Sequence, residues 1–463
     1  MVQILRKDES DVDILLGEPK RAIRSMVIPF LVALAVVEIN QFVDTYWVSG
    51  LGTTDAEAVS TVIPIYGLMM CVGLGLSIGA TTTISFALGQ SDKERASRLA
   101  GNSVTLGIIL AIVTSILIVI FFNPIIDMMG AGSVRSEGWS YMLPYIILSP
   151  AILVYTIIGG TLRGEGAARK STIVQISAAL INMALDPVLI YGCGMGVMGA
   201  GLATALSSLF AALLGLYWYF SGKTMIKVSG TSFRFDKEAS REILGVGGPK
   251  TVQTLISNAT DIIQRVFLIV AGGTAAVMYY NYAWRYIGLV GLPSRALDSA
   301  MIPVCSAAYG QSDLEKMREG YWYTFKLVVL ISAIAAVFLF VFADPLMQIL
   351  TQEESMRHHL EALVWTIRVS VVLIPFFALM GIEASMLQAM KKAKIPMYFY
   401  MLWGFIKLAL YALAAYGYLG VDPFEGIIYI MVGMHVFGGL ALVYLERAEF
   451  KKLKASGQSA APS

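Results

Sequence analysis

The sequence predicts an all-α integral membrane protein with twelve transmembrane helices in two pseudo-symmetric lobes of six. Three observations predict this fold: the composition, the number of long apolar segments and an internal repeat. Of the 463 residues, 57% are hydrophobic and 14% are charged, and the mean hydropathy is +0.70. Soluble domains carry about 25% charged residues, so this composition suits a lipid bilayer. The net charge of +2 provides no field that would attract nucleic acid.

Twelve apolar segments are each long enough to cross a bilayer, for which about 20 residues suffice. Several exceed that length, so we expect helices that tilt or extend beyond the lipid. The segments are expected at 22–49, 57–87, 97–122, 138–160, 171–191, 198–220, 241–271, 276–308, 321–343, 359–388, 396–417 and 425–446.

Polar stretches separate these helices into predicted domains. The N-terminal stretch mixes acids and bases without an apolar core, which differs from a cleavable signal peptide. The predicted domains are a cytoplasmic N-terminal segment (1–21), an N-lobe of helices 1–6 (22–220), a cytoplasmic inter-lobe linker (221–240), a C-lobe of helices 7–12 (241–446) and a cytoplasmic tail (447–463).

Positive charge is concentrated in alternate loops, and this sets the expected orientation. Clusters of lysine and arginine occupy one set of loops, whereas the opposite set holds only Arg135 and Arg357. Positively charged loops stay in the cytoplasm, and an even number of helices returns the chain to the same side. The sequence therefore predicts a multi-pass protein of the cell membrane with both termini in the cytoplasm.

Short motifs recur at a nearly constant offset along the chain. The segment Gly89-Gln90-Ser91-Asp92 returns as Gly310-Gln311-Ser312-Asp313, 221 residues later, and Ala168 returns as Ala393, 225 residues later. Each half holds six helices, so both halves keep the same orientation. They are expected to be related by an axis along the membrane normal, as in transporters with parallel repeats.

Two carboxylates lie inside predicted helices of the first half, where ionisable groups are costly and each one marks a candidate site. Asp44 in helix 1 follows Asn40 by one turn, and Asp186 in helix 5 follows Asn182 by one turn. Each pair places an amide and a carboxylate on one helical face. Thr204 in helix 6 adds a candidate hydroxyl ligand.

Such oxygen donors suit a hard cation such as Na⁺. Pro187, directly after Asp186, frees a backbone carbonyl in the preceding turn as a further oxygen ligand. The same carboxylates, desolvated and close together, would instead bind a proton. Na⁺ and H⁺ therefore both stay open as the coupling ion. The structural alternative is a set of hydrogen bonds that only hold the helices together.

The second half does not repeat this cluster. The repeat offset gives these counterparts: Arg265 for Asp44, Lys407 for Asn182 and Asp261 for Asn40. We therefore expect one cation site, in the first half. The remaining polar groups of the second half are expected to form ion pairs or to line a polar path; they are Asp261, Arg265, Arg295, Asp298, Glu383 and Lys407.

Pro29 stands inside helix 1, fifteen residues before Asp44. A proline lets a helix bend, so Pro29 is a candidate hinge that couples occupancy of the site to the shape of helix 1. A static kink is the alternative.

Two motifs resemble enzyme signatures but lack the necessary context. The GxGxxG match at 194–199 lies in a short loop without a preceding strand. The GxSxG match at 75–79 lies within a predicted helix, where small residues serve helix packing. The three cysteines are far apart and form neither a disulfide framework nor a zinc site. The sequence therefore predicts neither an enzyme nor a cofactor.

Several of these segments together resemble the multidrug and toxic compound extrusion (MATE) family, and most of all its DinF-like branch, archaeal members included. The segments are Pro29, Phe42-Val43-Asp44-Thr45, Gly50-Leu51-Gly52, Gly89-Gln90 and Asn182-Met183-Ala184-Leu185-Asp186-Pro187. The resemblance runs from about residue 17 to 446, and the Asn-x-x-x-Asp-Pro segment is its most specific part.

The resemblance implies two six-helix lobes that form a V around a central cavity. It also implies export of amphipathic, often cationic compounds in exchange for Na⁺ or H⁺. The family's first-lobe cation ligands fall on Asp44, Asn182, Asp186 and Thr204, and its bending proline falls on Pro29. Some relatives carry acidic ligands on helices 7 and 10, where this chain has Asp261 and Glu383.

Two transport functions are compatible with the sequence. The first is a drug antiporter that binds small amphipathic compounds, works as a monomer among membrane lipids and needs no cofactor beyond its coupling ion. The alternative is a lipid or lipid-linked oligosaccharide flippase of the same superfamily. Its cavity would hold a pyrophosphate, for which the basic residues of the second half (Arg265, Arg295 and Lys407) are suited.

Overall fold

The computed structural model describes residues 11–228, 230–351 and 354–455, and in these residues every regular element is a helix. The first ten residues of the predicted N-terminal segment and the tail from 456 onward lie outside the described residues. The first eight α-helices are α1 (Asp11–Leu16), α2 (Pro19–Ser49), α3 (Thr53–Gly89), α4 (Lys93–Met128), α5 (Arg135–Ile147), α6 (Ser149–Gly164), α7 (Ala168–Pro187) and α8 (Gly196–Phe220).

The remaining nine helices follow a polar segment after α8. They are α9 (Lys237–Val290), α10 (Leu292–Gly310), α11 (Leu314–Val341), α12 (Ala343–Leu350), α13 (Glu354–Arg357), α14 (Leu360–Ser370), α15 (Leu373–Ala389), α16 (Lys394–Ala415) and α17 (Pro423–Ala455).

Among the described residues, nine helices are long and apolar enough to cross a membrane, and eleven spans result if two bent pairs each count as one. These pairs are α5 with α6, bent by 58°, and α14 with α15, bent by 45°. The twelfth span comes from α9, whose 54 residues would extend about 80 Å as one rod, far more than a bilayer core of about 30 Å. The predicted twelve-helix fold is confirmed.

A backbone break divides α9. Gly272 and Gly273 leave the helical conformation, and Gly273 adopts φ = 65° with ψ = −158°, which side chains other than glycine rarely tolerate. The part of α9 before the break is the seventh span. The part after it continues into α10 and forms the eighth.

The backbone also carries the internal repeat. The only non-glycine residues with positive φ among the described residues are Ser91, Ser312 and Lys391, all within the region typical of glycine. Ser91 and Ser312 are 221 residues apart, as are the positive-φ glycines Gly52 and Gly273. Lys391 stands 225 residues after Gly166, which also has positive φ. Both halves therefore end corresponding helices with the same turn.

The chain forms two compact units. The N-unit comprises residues 11–251 with 306–313, and the C-unit comprises 252–305 with 314–455. The core of the C-unit includes the fully buried residues Leu373, Tyr411 and Ile427. The predicted lobe boundaries remain a prediction.

Small residues explain how α3 packs inside the N-unit. A methyl group at Gly75 would lie 2.6 Å from the carbonyl oxygen of Gly247, and one at Gly79 would lie 2.5 Å from that of Ile243. The start of α9 thus lies directly on this face of α3. The GxSxG match at 75–79 serves helix packing.

The segment between α8 and α9 packs against α4 within the N-unit, and we call its described residues, 221–228 and 230–236, the strap. Ser97 donates a hydrogen bond to the carbonyl oxygen of Lys227, at 2.7 Å, and Thr105 donates one to that of Phe233, at 2.6 Å. Ile226, within the strap, is buried. The strap is therefore fixed to the first part of α4 through its own backbone carbonyl groups.

Candidate cation site

Three of the predicted ligands meet where α7 packs against α8. The Asn182 amide donates hydrogen bonds to Asp186 Oδ1 and to Thr204 Oγ1, both at 3.2 Å. Asp186 and Asn182 are 0% and 2% exposed. The i, i+4 spacing on α7 therefore brings the amide and the carboxylate together, and Thr204 joins them from α8.

Asp44 joins this group from α2. Its carboxyl group is close enough to that of Asp186 for the two to interact directly, since α2 and α7 pack against each other. Two carboxylates at this separation repel each other unless a positive charge is shared between them. A proton or a metal cation would supply that charge.

Several oxygen atoms of this group lack a hydrogen-bond partner among the described residues. They are Asn40 Oδ1, Asp44 Oδ1, Asn182 Oδ1 and Asp186 Oδ2, all buried. A buried polar atom without a partner costs about 1–3 kcal/mol, so these four atoms on α2 and α7 are suited to bind a ligand. All four are acceptors, so that ligand donates hydrogen bonds or carries positive charge, as water, a proton or a cation does. We call Asn40, Asp44, Asn182, Asp186 and Thr204 the N-unit cluster.

The ends of α2 and α7 are held together close to the cluster. The Tyr191 hydroxyl donates a hydrogen bond to the carbonyl oxygen of Trp47, at 2.6 Å. A methyl group on Gly50 would clash with that hydroxyl, so a larger residue there would displace the Tyr191 side chain. Tyr191 belongs to a π-helical turn (Val188–Gly192) that directly follows Pro187. The proline thus ends the regular helix beside Asp186.

A group of tyrosines beside the cluster was not among the sequence predictions. Tyr145 donates a hydrogen bond to the Tyr141 hydroxyl, at 3.0 Å, and its ring lies 4.5 Å from that of Tyr66. Gly201 lets α8 pack closely against α5, which carries Tyr141, because a methyl group at this position would lie 2.3 Å from the carbonyl oxygen of Tyr141. With 22 tyrosines in the chain, the sequence offers no signal that selects these three.

Pro29 and the predicted polar residues of the C-unit lie outside the N-unit cluster. Pro29 lies inside α2, which runs without interruption from Pro19 to Ser49. In the C-unit, Lys407 is buried and its Nζ lies 4.0 Å from Asp261 Oδ1. Arg265, one turn after Asp261, is exposed.

Glu383 belongs to a separate place in the C-unit. It is fully buried, and its Oε1 accepts a hydrogen bond from the Tyr321 hydroxyl, at 2.8 Å. Among the ion pairs expected in the second half, the structure shows the one between Lys407 and Asp261. The described residues contain no group of three or more His, Cys, Asp or Glu side chains that could hold a metal ion.

Comparison with known proteins identifies the chain. The MatE family model matches residues 29–188 and 249–413, which together make up more than half of the sequence. The chain belongs to the MatE family. It is therefore a secondary transporter with membrane-spanning helices and not an enzyme, and the resemblance inferred from the sequence is confirmed.

Individual MATE proteins support this assignment. Multidrug export protein MepA of Staphylococcus saprophyticus is 25% identical over 329 residues, which cover 70% of this chain and 72% of that protein. A crystal structure of a MATE protein in complex with MaL6 has a TM-score of 0.91 and 26% identity, and covers 96% of this chain and 100% of its own.

A third similar protein is a transporter of the MOP superfamily from Pyrococcus furiosus. Its structure has a TM-score of 0.89 and 26% identity, and covers 97% of this chain and 100% of its own. It is described as having a binding pocket of reverse polarity that suggests a different function.

Proposed function

We propose that this MATE transporter is a secondary antiporter that exports amphipathic, often cationic small molecules in exchange for Na⁺ or H⁺. The observation that carries the proposal is the N-unit cluster, with two adjacent carboxylates and four buried oxygen atoms that have no hydrogen-bond partner within the described part of the chain. The similarity to multidrug export protein MepA supports the substrate class.

The cluster provides the chemistry that antiport requires. Its two carboxylates bind one cation between them, and Asn182 and Thr204 supply neutral oxygen atoms. Release of the cation restores the repulsion between Asp44 and Asp186, which favours a different separation of α2 and α7. Occupancy of the site is in this way linked to the position of α2, and Pro29 is the point at which that helix would bend. A substrate and the ion that favour opposite states of one helix exchange with each other.

The test is dye efflux from proteoliposomes with an imposed Na⁺ gradient and, separately, an imposed proton gradient. We expect one gradient to drive efflux of a cationic dye and Asp44→Asn to abolish it, because the amide removes one of the two negative charges that bind the coupling cation. Asp127→Asn is the matched control, since Asp127 is exposed, lies in the same unit and pairs with Arg135 outside the cluster. Efflux that persists in Asp44→Asn would contradict the proposal.

A second function, flipping of a lipid or lipid-linked oligosaccharide, is favoured by one observation. Arg265 and Arg295 are exposed although they lie on helices of the membrane-spanning region. Basic groups at that depth face an aqueous space rather than lipid, where they would hold a phosphate. Transport of a fluorescent anionic lipid, together with no gradient-driven efflux across a panel of cationic dyes, would favour this function over drug export.

A further inference from the structure

Lys407 is a buried lysine whose charge is compensated from several sides. It is 3% exposed, and its Nζ donates a hydrogen bond to Gln264 Oε1, at 3.4 Å. The same nitrogen lies 4.0 Å from Asp261 Oδ1. It also lies 4.5 Å from the ring centroid of Trp403 and 5.7 Å from that of Tyr411, within or near the range of cation–π attraction.

This environment keeps the ammonium charged inside the C-unit. An isolated buried ammonium would be far too costly to retain. One carboxylate, one amide oxygen and two aromatic faces together replace the water that Lys407 has lost. The side chain therefore sits in a site built for a positive charge.

The position of this ammonium corresponds to that of the N-unit cluster. The repeat offsets match Lys407 with Asn182 and Asp261 with Asn40, and the positive-φ turns at Ser91/Ser312 and Gly166/Lys391 confirm those offsets in the backbone. In both units the contact joins corresponding helices: α2 with α7 in the N-unit, and the first part of α9 with α16 in the C-unit.

The two corresponding places differ in charge. The N-unit cluster combines two carboxylates with an amide and a hydroxyl, so it carries a negative charge that an external cation must balance. The C-unit place combines the carboxylate of Asp261 with the amide of Gln264 and the ammonium of Lys407, so it already contains its cation.

We propose that the Lys407 ammonium is a tethered counterpart of the coupling cation, which permanently fills the C-unit position corresponding to the N-unit cation site. The C-unit then stays in the cation-bound form, and ion exchange is confined to the N-unit. The inference rests on the proposed function only in treating the N-unit cluster as a cation site. It predicts that removal of the ammonium creates a second site for an external cation.

The experiment measures the melting temperature of purified protein in an Asp44→Asn/Asp186→Asn background, in which the N-unit cluster is neutral. Na⁺ is titrated against choline at several pH values between 5 and 8. The titratable and charged groups that face Lys407 are Asp261 from the first part of α9, Tyr411 from α16 and His435 from α17, and those that face Asp261 are Arg265 and Tyr280. The variants are Lys407→Met, Lys407→Arg and Lys407→Met/Asp261→Asn.

We expect the background protein and Lys407→Arg to melt independently of Na⁺. Lys407→Met should melt lower, because the half-exposed carboxylate of Asp261 and the buried amide of Gln264 have lost their positively charged partner. This decrease in melting temperature should become smaller as the Na⁺ or proton concentration rises. Adding Asp261→Asn should remove both the decrease and its dependence on cations. His435 faces Lys407, so its own pH response can differ between variants; the Na⁺ dependence at a fixed pH, which does not involve the histidine proton, is therefore the deciding comparison.

Three outcomes would overturn the inference. The first is that Lys407→Met melts like the background protein. The second is a lower melting temperature that neither Na⁺ nor acid restores, which would make Lys407 a packing residue alone. The third is a cation dependence that survives Asp261→Asn. If Lys407→Met fails to fold, Lys407→Met/Asp261→Asn provides the test. The inference then requires this variant to fold and its melting temperature to be independent of cations. No transport is measured, so failure of the antiport proposal would leave this result unchanged.

Discussion

Asn182 is the residue that organises the candidate site. Its amide group donates two hydrogen bonds, to Asp186 Oδ1 and to Thr204 Oγ1, while its Oδ1 has no partner among the described residues. The donated bonds fix the rotation of the amide so that the oxygen is presented as a ligand. An asparagine that only held helices together would have both ends of its amide satisfied.

Asn102 provides such a case in the same unit. Its amide donates to Ser240 Oγ, at 2.9 Å, and its Oδ1 accepts from the Asp236 backbone N–H, also at 2.9 Å. It is as buried as Asn182. Asn182 and Asn102 are thus equally buried, but only Asn102 has the fully satisfied amide group that a structural role requires.

We expect Asn182→Leu to abolish stabilisation of the purified protein by the coupling cation, because the leucine removes one ligand and releases Asp186 and Thr204. The variant should also lose on the order of 1–3 kcal/mol of stability from the polar groups left unpaired. The measurement is the melting temperature as a function of Na⁺ concentration and, separately, of pH. Asn102→Leu should lose comparable stability yet keep the cation dependence of the wild type. An equal cation response in both variants would rule out a ligand role for Asn182.

At the scale of elements, the strap illustrates how a polar segment becomes part of a helical unit. Glu165, at the end of α6, is fully buried, and its Oε2 accepts a hydrogen bond from the Ile226 backbone N–H, at 3.1 Å. Its Oε1 has no partner among the described residues. Burial raises the pKa of Glu165 to about 8, and this effect exceeds the opposing ones of the backbone hydrogen bonds and of Lys170.

We expect the strap to loosen as pH rises. Glu165 binds its proton more tightly when the strap is packed than when the carboxyl is in water, where its pKa is about 4.5. The packed form is therefore fully favoured below about pH 4.5, loses stability as pH rises through about 8 and changes little above that. Hydrogen exchange of the Ile226 amide, corrected for the intrinsic pH dependence of exchange, measures this directly.

Glu165→Gln is the control for the strap, since it keeps the shape of the side chain and cannot ionise. Its Ile226 amide should exchange at a rate that is independent of pH after the same correction. The ion pair between Lys170 and Asp11, at 3.3 Å, is unchanged in this variant. A pH response of equal size with glutamine at position 165 would assign the effect to another group.

At the scale of the whole molecule, the prediction still to be tested is orientation. The loop before α8 is expected outside the cell, and it contains the exposed Cys193. The other two cysteines, Cys71 and Cys305, are buried. Ser221 is exposed at the opposite end of α8 and is expected in the cytoplasm. A natural cysteine at one end of α8 and an engineered cysteine at the other can therefore report on which side of the membrane each end lies.

We expect a membrane-impermeant maleimide to label Cys193 in intact cells, and Cys193→Ser to abolish that labelling. Cys193→Ser/Ser221→Cys should react only after the cells are opened, because the positively charged loops hold that end of α8 in the cytoplasm. The reverse pattern, with Ser221→Cys labelled in intact cells, would mean that the termini lie outside.

The class of fold was determined by the sequence itself, and so were the polar side chains proposed as ligands. Composition and the length of the apolar segments require a helical membrane protein, because a bilayer leaves no other way to satisfy the backbone of such segments. The internal repeat was also visible, and the backbone turns at its ends confirm it. The i, i+4 spacing already placed Asn182 beside Asp186, since a helix fixes which side chains share a face.

Only the tertiary structure decided which helices bring their polar groups together. The contact of Asp44 with Asp186 depends on how closely α2 approaches α7, and the hydrogen bond from the Tyr191 hydroxyl to the Trp47 carbonyl joins these elements near that contact. The pairing of Lys407 with Asp261 and the burial of Glu165 under the strap likewise join residues far apart in sequence. Periodicity specifies a face of one helix. Which helix packs against that face depends on where small residues and backbone breaks allow a close approach, and only the packed structure shows this.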